Sequence, residues 1–361
     1  MIKFLKSDML PVLSKVQGLT GRATNISATN CVLIRAEGGE ISISATDLDT
    51  GYVGIVPGEA EKDIEIALNS RKFFDIVKGL PGESFEITEL SNRWFEITCN
   101  EQSVKFKIVG RDPDEMPQIH GAETEHTIDG ESLERMIQAV MHIQPEDPND
   151  NRAHMNSALF EAKNGVLGIV STDGSRLIVA MNNFDGEFNH LVTKRGMAEV
   201  LKVLGPGNVN FGFDDGRFVV KKDDETIVTR LMEGEFPAYE SSLTHEETGS
   251  FEAETKVVAD CFKRMSVMSN KDYKSAIFQF SKKELKITMT NPDFGEAEET
   301  ISVDYEGEDF EVCFNLKLWL DALSAIKSDR ILAKLGGKDR PCIIQAAEGG
   351  DIVAAVMPMR L

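Results

Sequence analysis

Few residues of this 361-residue chain have the types and the spacing that catalysis requires. Thr172-Asp173-Gly174 has the composition of a catalytic aspartate loop, but it is also typical of a β-turn that begins with Asp, and the turn is the favoured interpretation. Gly205-Pro206-Gly207 lacks the G-x-G-x-x-G and G-K-[ST] patterns of phosphate loops and is interpreted as a helix terminator. A clustered nucleophile or acid/base set is not evident, so no catalytic residue is predicted.

The cysteines and histidines are too scattered to form a metal site. The five cysteines are odd in number and contain no C-x-x-C pair, and the six histidines form no H-E-x-x-H spacing. We expect buried, reduced thiols in a cytoplasmic protein that needs no metal and no cofactor. The apolar stretch at the start of the chain is too short and too charged for a signal peptide. The chain has no run of about 18 apolar residues, so no membrane span is predicted.

The last five residues, Met357 to Leu361, have the side chains of a binding surface. Methionine is unbranched and polarizable, so it adapts to different apolar partners, and Pro358 stiffens the backbone. An extended peptide with one or two apolar anchors would suit such a surface. The alternative is that the tail is simply the last strand of a sheet. Both hold if Val353 to Val356 form the strand and the following residues line the site.

The tail is the third copy of a pattern that the chain repeats. A β-like run, a bend and a proline recur at Pro117, Pro237 and Pro358, at spacings of 120 and 121 residues. Because that period has the size of a domain, we expect three similar domains in tandem, over residues 1–120, 121–246 and 247–361.

Each repeat is predicted to contain two helices. One set begins at capping residues Ser70, Thr193 and Asn315, and the other covers residues 7–18, 131–144 and 256–269. Alternating apolar residues between the helices predict strands at 31–36, 40–45, 158–162, 166–171 and 285–290. Since such strands bury one face only, we predict an α+β fold in which two helices pack on an antiparallel sheet in each domain.

Charge is divided unevenly between the helices and the rest of the chain. The six helical segments hold 14 basic and 7 acidic residues, a net charge of +7, whereas the whole chain carries −21 and the remainder therefore −28. The helices could be ordinary solvated faces, but a shared basic bias indicates a surface that meets phosphates without contacting bases. The acidic remainder would repel DNA elsewhere.

Four motifs in the right order resemble the bacterial sliding clamp, the beta subunit of DNA polymerase III. They are the segments 71–82 (RKFFDIVKGLPG), 171–177 (STDGSRL), 285–292 (LKITMTNP) with 296–299 (EAEE), and 356–361 (VMPMRL). The resemblance covers the full length. It implies a non-catalytic processivity factor that forms a head-to-tail homodimeric ring, encircles double-stranded DNA and binds the polymerase catalytic subunit, the clamp loader and other clamp-motif peptides. It implies no membrane partner.

The resemblance also implies three sets of site residues. The partner-peptide cleft would contain Met155, Thr172, Gly174, Ser175, Arg176, Leu177, Asn315, Val356, Met357, Pro358, Met359 and Arg360. The DNA-facing residues would be Arg22, Arg71, Arg152, Lys194 and Arg195. The dimer interface would join Lys72, Ile76, Phe106 and Ile108 of one copy to Val267, Met268, Glu298 and Glu299 of the other.

This chain departs from the family pattern at three places. Ala153 and His154 stand where many members have aromatic residues, Ser175 replaces a histidine, and the segment 240–247 (ESSLTHEE) is acidic where many members are basic. Two alternatives therefore stay open: a hydrolase built on tandem α+β domains, and a clamp paralogue from a phage or mobile element.

Overall fold

The computed structural model describes residues 1–21, 26–99, 103–119, 123–143, 152–244 and 246–360. The chain divides into two compact units. The first unit contains Met1–Glu131 and Arg195–Leu231, and the second contains Ser132–Lys194 and Met232–Leu361. The middle of the three predicted segments thus contributes one half to each unit.

The helices match the two-per-repeat pattern, with one short addition. Within the described residues they are α1 (Lys6–Thr20), α2 (Ser70–Gly79), α3 (Gly130–Val140), α4 (Ala153–Asn156), α5 (Lys194–Val200), α6 (Thr255–Met265) and α7 (Leu316–Ile326). Asn69, rather than the predicted Ser70, caps α2, because its side chain accepts a hydrogen bond from the Lys72 N–H at 3.0 Å. Ser70 instead is buried and accepts a hydrogen bond from Gln17 at 2.9 Å.

The strands are antiparallel, and the predicted runs lie within them. Those from the first repeat are β1 (Ile2–Leu5), β2 (Cys31–Glu37), β3 (Glu40–Thr46), β4 (Thr50–Ile55), β5 (Glu59–Ala60), β6 (Ile64–Asn69), β7 (Ser84–Glu89), β8 (Trp94–Cys99) and β9 (Val104–Val109). Those from the second are β10 (His126–Asp129), β11 (Ser157–Lys163), β12 (Val166–Thr172), β13 (Arg176–Asn183), β14 (Phe188–Thr193), β15 (Asn208–Asp214), β16 (Arg217–Lys222) and β17 (Glu225–Met232). Those from the third are β18 (Gly249–Glu254), β19 (Ser275–Ser281), β20 (Glu284–Asn291), β21 (Gly295–Ser302), β22 (Asp304–Gly307), β23 (Phe310–Asn315), β24 (Arg330–Leu335), β25 (Cys342–Ala346) and β26 (Ile352–Val356).

In the first unit, a pair of strands joins the first repeat to the second. Strand β17 pairs with β4, Thr229 lying opposite Thr50, and this pairing continues a sheet in the order β10-β15-β16-β17-β4-β3-β2-β6. A separate sheet has the order β5-β1-β7-β8-β9, which leaves β9 at its edge. Helices α1 and α2 pack against each other and bury Leu13 and Phe73 completely.

In the second unit, β13 pairs with β26 and so joins the second repeat to the third. The sheet runs in the order β14-β11-β12-β13-β26-β25-β24-β18-β22. A four-stranded sheet, β21-β20-β19-β23, leaves β21 at its edge. We call the β4–β17 pairing the first seam and the β13–β26 pairing the second seam.

Aromatic side chains fill the core of the third repeat. Trp319 of α7 is fully buried, and the rings of Phe314 and Phe262 lie 5.5 and 5.6 Å from it with their edges toward its face. Such edge-to-face contacts add to the free energy gained from burying the rings. They hold α6 and α7 on one sheet, and α7 in turn packs against β26. In the described part of the chain, no helix is long and apolar enough to span a membrane.

Candidate functional site

The second seam places the C-terminal tail beside the segment 172–177. Arg176 lies opposite Val356 and Leu177 opposite Ala355 in the antiparallel ladder. One residue further on, the Met357 N–H donates a hydrogen bond to the Ser175 carbonyl at 2.9 Å. Two of the segments that were predicted to form one site are therefore adjacent in the folded chain.

The tail leaves the strand after Val356 and is anchored a second time. The Met359 N–H donates to the Cys313 carbonyl at 2.7 Å, and Pro358 between the two anchors has no N–H to donate. Met357 and Pro358 are half-buried, whereas Met359 and Arg360 are exposed. Leu361 lies outside the described residues.

Asn315 lies close to the second anchor in the chain. It is the last residue of β23 and follows Cys313 by two positions. Its side chain accepts a hydrogen bond from the Lys317 N–H at 3.0 Å and so caps α7. The predicted cleft residue therefore also sets the start of the helix beside the tail.

The segment Thr172–Arg176 is the turn that its composition predicts. The Thr172 hydroxyl donates to the Arg176 carbonyl at 2.7 Å, and the Asp173 carboxylate accepts from the N–H groups of Ser175 and Arg176 at 3.0 and 3.1 Å. Gly174 has a φ of +85°, in the left-handed region that suits glycine. Asp173 thus has a structural role, and the loop presents Gly174 and Ser175 at the surface.

Arg176 is neutralised by two carboxylates. Its Nε lies 2.9 Å from Asp173, another guanidinium nitrogen donates to Asp321 of α7, and only 7% of the residue is exposed. A guanidinium bound in this way is not available to a peptide. Arg176 therefore contributes its backbone to the seam and its side chain to the contact between α7 and the loop.

An apolar face extends from Leu177 along the same side of the sheet. Leu177, Val179 and Met181 lie on the same face of β13, because alternate residues of a strand share a face. The buried members of this apolar face are Leu159, Val170, Leu177, Val179, Leu191 and Ala355, and Ala153, Met181, Met232, Phe236, Tyr239 and Leu243 pack against them half-buried. Leu177 was among the predicted cleft residues, but Val179 and Met181 were not. Ile178 and Ala180 between them are apolar and buried too, so the sequence of β13 shows no alternation that would assign residues to a face.

A cavity of about 360 Å³ lies at the end of this apolar face. Its lining residues are Val179, Met181, Leu243, Thr244, Glu247, Lys334, Ile343, Gln345 and Val353. The floor is mainly aliphatic, and Glu247 and Lys334 form an ion pair at 2.7 Å on its wall. A cavity with an apolar floor and few charged groups suits an apolar side chain of a peptide.

Met155 supports the site from a buried position. It belongs to α4 and is 4% exposed, and its carbonyl accepts a hydrogen bond from the Lys194 ammonium at 2.9 Å. Burial lowers the pKa of Lys194 to about 8, an effect that the Asp173 carboxylate opposes. Lys194, which was predicted to face DNA, thus holds the backbone of a predicted cleft residue.

Comparisons with known proteins agree with this geometry. Three family models match in order: the N-terminal, central and C-terminal domains of the DNA polymerase III beta subunit, at residues 2–120, 127–238 and 242–360. The chain belongs to the DNA polymerase III beta subunit family. It is built from three tandem beta-clamp domains, and its sheets and helices have the clamp fold.

Named relatives share the whole length of this family member. The beta sliding clamps of Haemophilus influenzae and Escherichia coli are each 27% identical over 366 residues, and the matches cover 99% of this chain and 98% of each relative. The crystal structure of the DNA polymerase III subunit beta from Pseudomonas aeruginosa superposes with a TM-score of 0.93 at 26% identity over 100% of both chains. A sliding clamp from the same organism, bound to griselimycin, matches with the same TM-score and identity.

The other predicted DNA-facing residues of this beta subunit differ in their surroundings. Arg195 forms an ion pair with the buried Asp47 and lies 3.6 Å from Asp49. Arg71 is 3.3 Å from Asp75 with most of its side chain exposed, and Arg152 is exposed. Arg22 lies outside the described residues.

Several other helix cations are also paired with acids. Lys15 of α1 binds Glu225 at 2.5 Å, Lys202 binds Glu199 at 2.5 Å, and Arg264 of α6 binds Glu299. Their positive charge is therefore balanced locally. The basic bias of the helices counted in the sequence overstates the charge that they present to a polyanion.

Four of the eight predicted interface residues lie on edge strands, and the other four lie in α2 or directly after α6. Phe106 and Ile108 belong to edge strand β9, and Lys72 and Ile76 belong to α2. Glu298 and Glu299 belong to edge strand β21, while Val267 and Met268 follow α6, and 78% of Val267 is exposed. An apolar side chain with that exposure, beside an unpaired edge, is typical of a surface that a partner covers.

Proposed function

We propose that this chain is a sliding clamp whose copies join head to tail, encircle duplex DNA and tether the replicative polymerase through the cleft at the second seam. The observation that carries this proposal is the apolar face from Leu177 to Met181, which ends in a mainly aliphatic cavity that Val353 of β26 also lines. A bound partner would stay near the DNA at a high effective concentration without binding phosphate strongly.

The two edge strands support the head-to-tail arrangement. Strand β9 carries Lys105 and Lys107, which both lie near Glu96. Strand β21 carries Glu296, Glu298 and Glu299, of which the last two pair with Lys286 and Arg264. Joining these edges between copies would pair open backbone groups and bring together opposite charges. Because the two edges differ, the contact is heterologous, and its closure into a ring requires a fixed rotation between copies.

The proposed role is that of a non-catalytic processivity subunit in the cytoplasm. It uses no cofactor of its own. Its partners would be duplex DNA, a second copy of the chain, the polymerase catalytic subunit, the clamp loader and other proteins with clamp-binding peptides. DNA contact would involve Arg71, Arg152 and Arg22 from the predicted set, whereas the side chain of Lys194 binds the Met155 carbonyl and that of Arg195 pairs with Asp47.

Topological tethering is tested by comparing circular with linear DNA. After loading by the host's clamp loader onto nicked circular duplex, we expect the protein to stay on the circle through gel filtration and to leave once a restriction enzyme opens it. Equal loss from both forms would contradict encirclement. In solution the protein should have a mass near twice 39.9 kDa, and a firm monomer at micromolar concentration would refute the ring.

The cleft is tested by removing the tail. Deleting Met357 to Leu361 should abolish binding of partner peptides and leave the dimer intact, because the anchors at Ser175 and Cys313 are lost while both sheet edges remain. The measurement is fluorescence anisotropy of a labelled polymerase-derived peptide, with sedimentation as the control for the dimer. Unchanged affinity would show that partners bind elsewhere.

A further inference from the structure

The segment that covers the apolar face has an unusual charge. From Leu231 to Thr255 the chain contains no lysine or arginine, and the acids within this stretch are Glu233, Glu235, Glu240, Glu246, Glu247, Glu252 and Glu254. We call residues 233–247 the acidic linker. Its apolar residues Phe236, Tyr239 and Leu243 pack onto the apolar face.

The acids of the linker lie at the protein surface. Glu233, Glu235, Glu240, Glu246 and Glu247 are all exposed, as an amphipathic strip over a cleft requires. Because they lie beside the apolar face, we call these five glutamates the rim. A peptide that approaches the apolar face passes close to them.

Lys163 and Lys334 pair with acids of the linker. Lys163 lies 3.2 Å from Glu240 but also 2.7 Å from Glu161, and Lys334 lies 2.7 Å from Glu247. Hydrogen bonds from its backbone and from Lys163 keep the pKa of Glu240 below its usual range. Across residues 233–247 the sequence has five glutamates and no lysine or arginine, so the rim has an excess of acidic side chains.

The cavity borders this rim. Val179, Met181 and Val353 form an aliphatic floor, and Glu247 stands on the wall. A side chain inserted in the cavity would place the neighbouring residues of its peptide next to the linker carboxylates.

We propose that this cleft selects peptides whose apolar anchors are flanked by lysine or arginine. The inference deepens the proposed function and rests on it. Charges on the rim of an interface act mainly on partner choice, association rate and salt dependence, which is the behaviour expected here.

The test uses a matched pair of peptides with the full-length protein. Both are fluorescein-labelled, about ten residues long and centred on the same Leu-Phe anchor, with Lys at the flanking positions in one and Glu in the other. We expect the Lys peptide to bind about tenfold more tightly at low salt. Each exposed ion pair adds little to the binding free energy, but several of them together account for a difference of this size. The difference should shrink to less than about threefold near 1 M salt, where the Debye length is about 3 Å.

A charge-reversed variant assigns the effect to the linker. In Glu240→Lys/Glu247→Lys, the preference for the Lys peptide should disappear or invert. The control is Glu284→Lys, an exposed residue at the hairpin of the four-stranded sheet, which contains neither β13 nor β26. It should keep the preference of the original chain.

The outcomes separate the two proposals. If neither peptide binds at any salt concentration, the cleft itself is wrong and the proposed function fails with it. If both peptides bind equally, or if the reversal leaves the preference unchanged, the cleft stands and the selection of basic peptides is overturned.

Discussion

The two seams occupy equivalent positions in the repeats but offer different surfaces. Thr50 pairs with Thr229 in the first seam as Arg176 pairs with Val356 in the second, so Gly51 takes the place of Leu177 and Val53 that of Val179. At the second seam an apolar face remains open at its end. At the first seam the same place is filled by the chain itself.

Ile119 closes the first seam. A Cβ built at Gly51 would lie 2.9 Å from the Ile119 side chain, which therefore occupies the space that a leucine would need. Next to it, Ser44 stands opposite Val53 where Val170 stands opposite Val179 in the second seam. The resulting groove of about 450 Å³ is polar, with the Arg35–Glu65 ion pair at 2.5 Å among its lining residues. The two seams therefore differ in polarity at corresponding places, although their strands pair in the same register.

The seams also differ in which charge the loop and the neighbouring helix contribute to the ion pair between them. In the second seam the loop supplies the cation Arg176, and α7 supplies Asp321. In the first seam the loop supplies the buried Asp47, and α5 supplies Arg195. The same contact between a helix and a loop is thus made with the charges exchanged.

The largest effect is expected at Arg176. Arg176→Met leaves the buried Asp173 and the half-buried Asp321 without their cation, which should lower the free energy of unfolding by about 3 kcal/mol. Urea denaturation measures the loss, and hydrogen exchange at the Leu177 and Ala355 amides locates it. Arg71→Met is the control, because its pair is exposed and its effect should stay within about 0.5 kcal/mol. Equal effects of the two changes would refute the assignment of Arg176.

The second prediction concerns a substitution that gives the first seam the leucine found in the second. Gly51→Leu should destabilise the protein by about 2 kcal/mol, because the added side chain overlaps Ile119. Gly51→Leu/Ile119→Ala should recover more than half of that loss, since the new leucine then enters the vacated space. Denaturation of the two single variants and the double variant measures the coupling. Additive losses would mean that Ile119 does not fill the place of Leu177.

The third prediction concerns Lys194 and pH. Its pKa is about 8 in the folded protein, below the ordinary value of 10.5, so the unfolded chain binds more protons between these values. Stability relative to Lys194→Met should therefore rise from pH 8 to pH 10.5, by about 2 kcal/mol after allowance for partial exposure, and be flat below pH 8. Matched urea titrations across this range measure the difference. A difference that falls with rising pH would show that Lys194 is not held in a desolvated position.

The smallest expected effect is on peptide affinity, and it tests whether the cavity at the second seam binds peptide while the groove at the first seam does not. Val179→Ala removes part of the cavity floor and should weaken binding of an apolar-anchored peptide about fivefold, whereas Val53→Ala at the equivalent position of the first seam should leave it unchanged. Anisotropy titrations with one labelled peptide compare them. If Val53→Ala weakened binding as much, the first seam would also hold peptide.

Local features were predictable from sequence because their causes are local. The helix starts follow from capping residues and apolar periodicity, and Gly38-Gly39 and Asn164-Gly165 form turns with positive φ at all four residues, as their composition indicates. The recurring prolines revealed the repeats, and the family motifs indicated that the tail and the segment 172–177 share a site. The capping residue of α2 was misplaced by one position, since Asn and Ser are both good caps.

The roles of residues at the seams depended on tertiary structure. Lys194 and Arg195 are neighbours in the chain and have the same charge, yet one holds the Met155 carbonyl and the other neutralises Asp47. Gly51 and Ile119 are distant in sequence, and only folding brings them together. Sequence by itself determined the elements, the threefold repeat and the position of the tail. Only the tertiary structure decided which seam stays open, because that depends on contacts between distant segments that composition and periodicity do not encode.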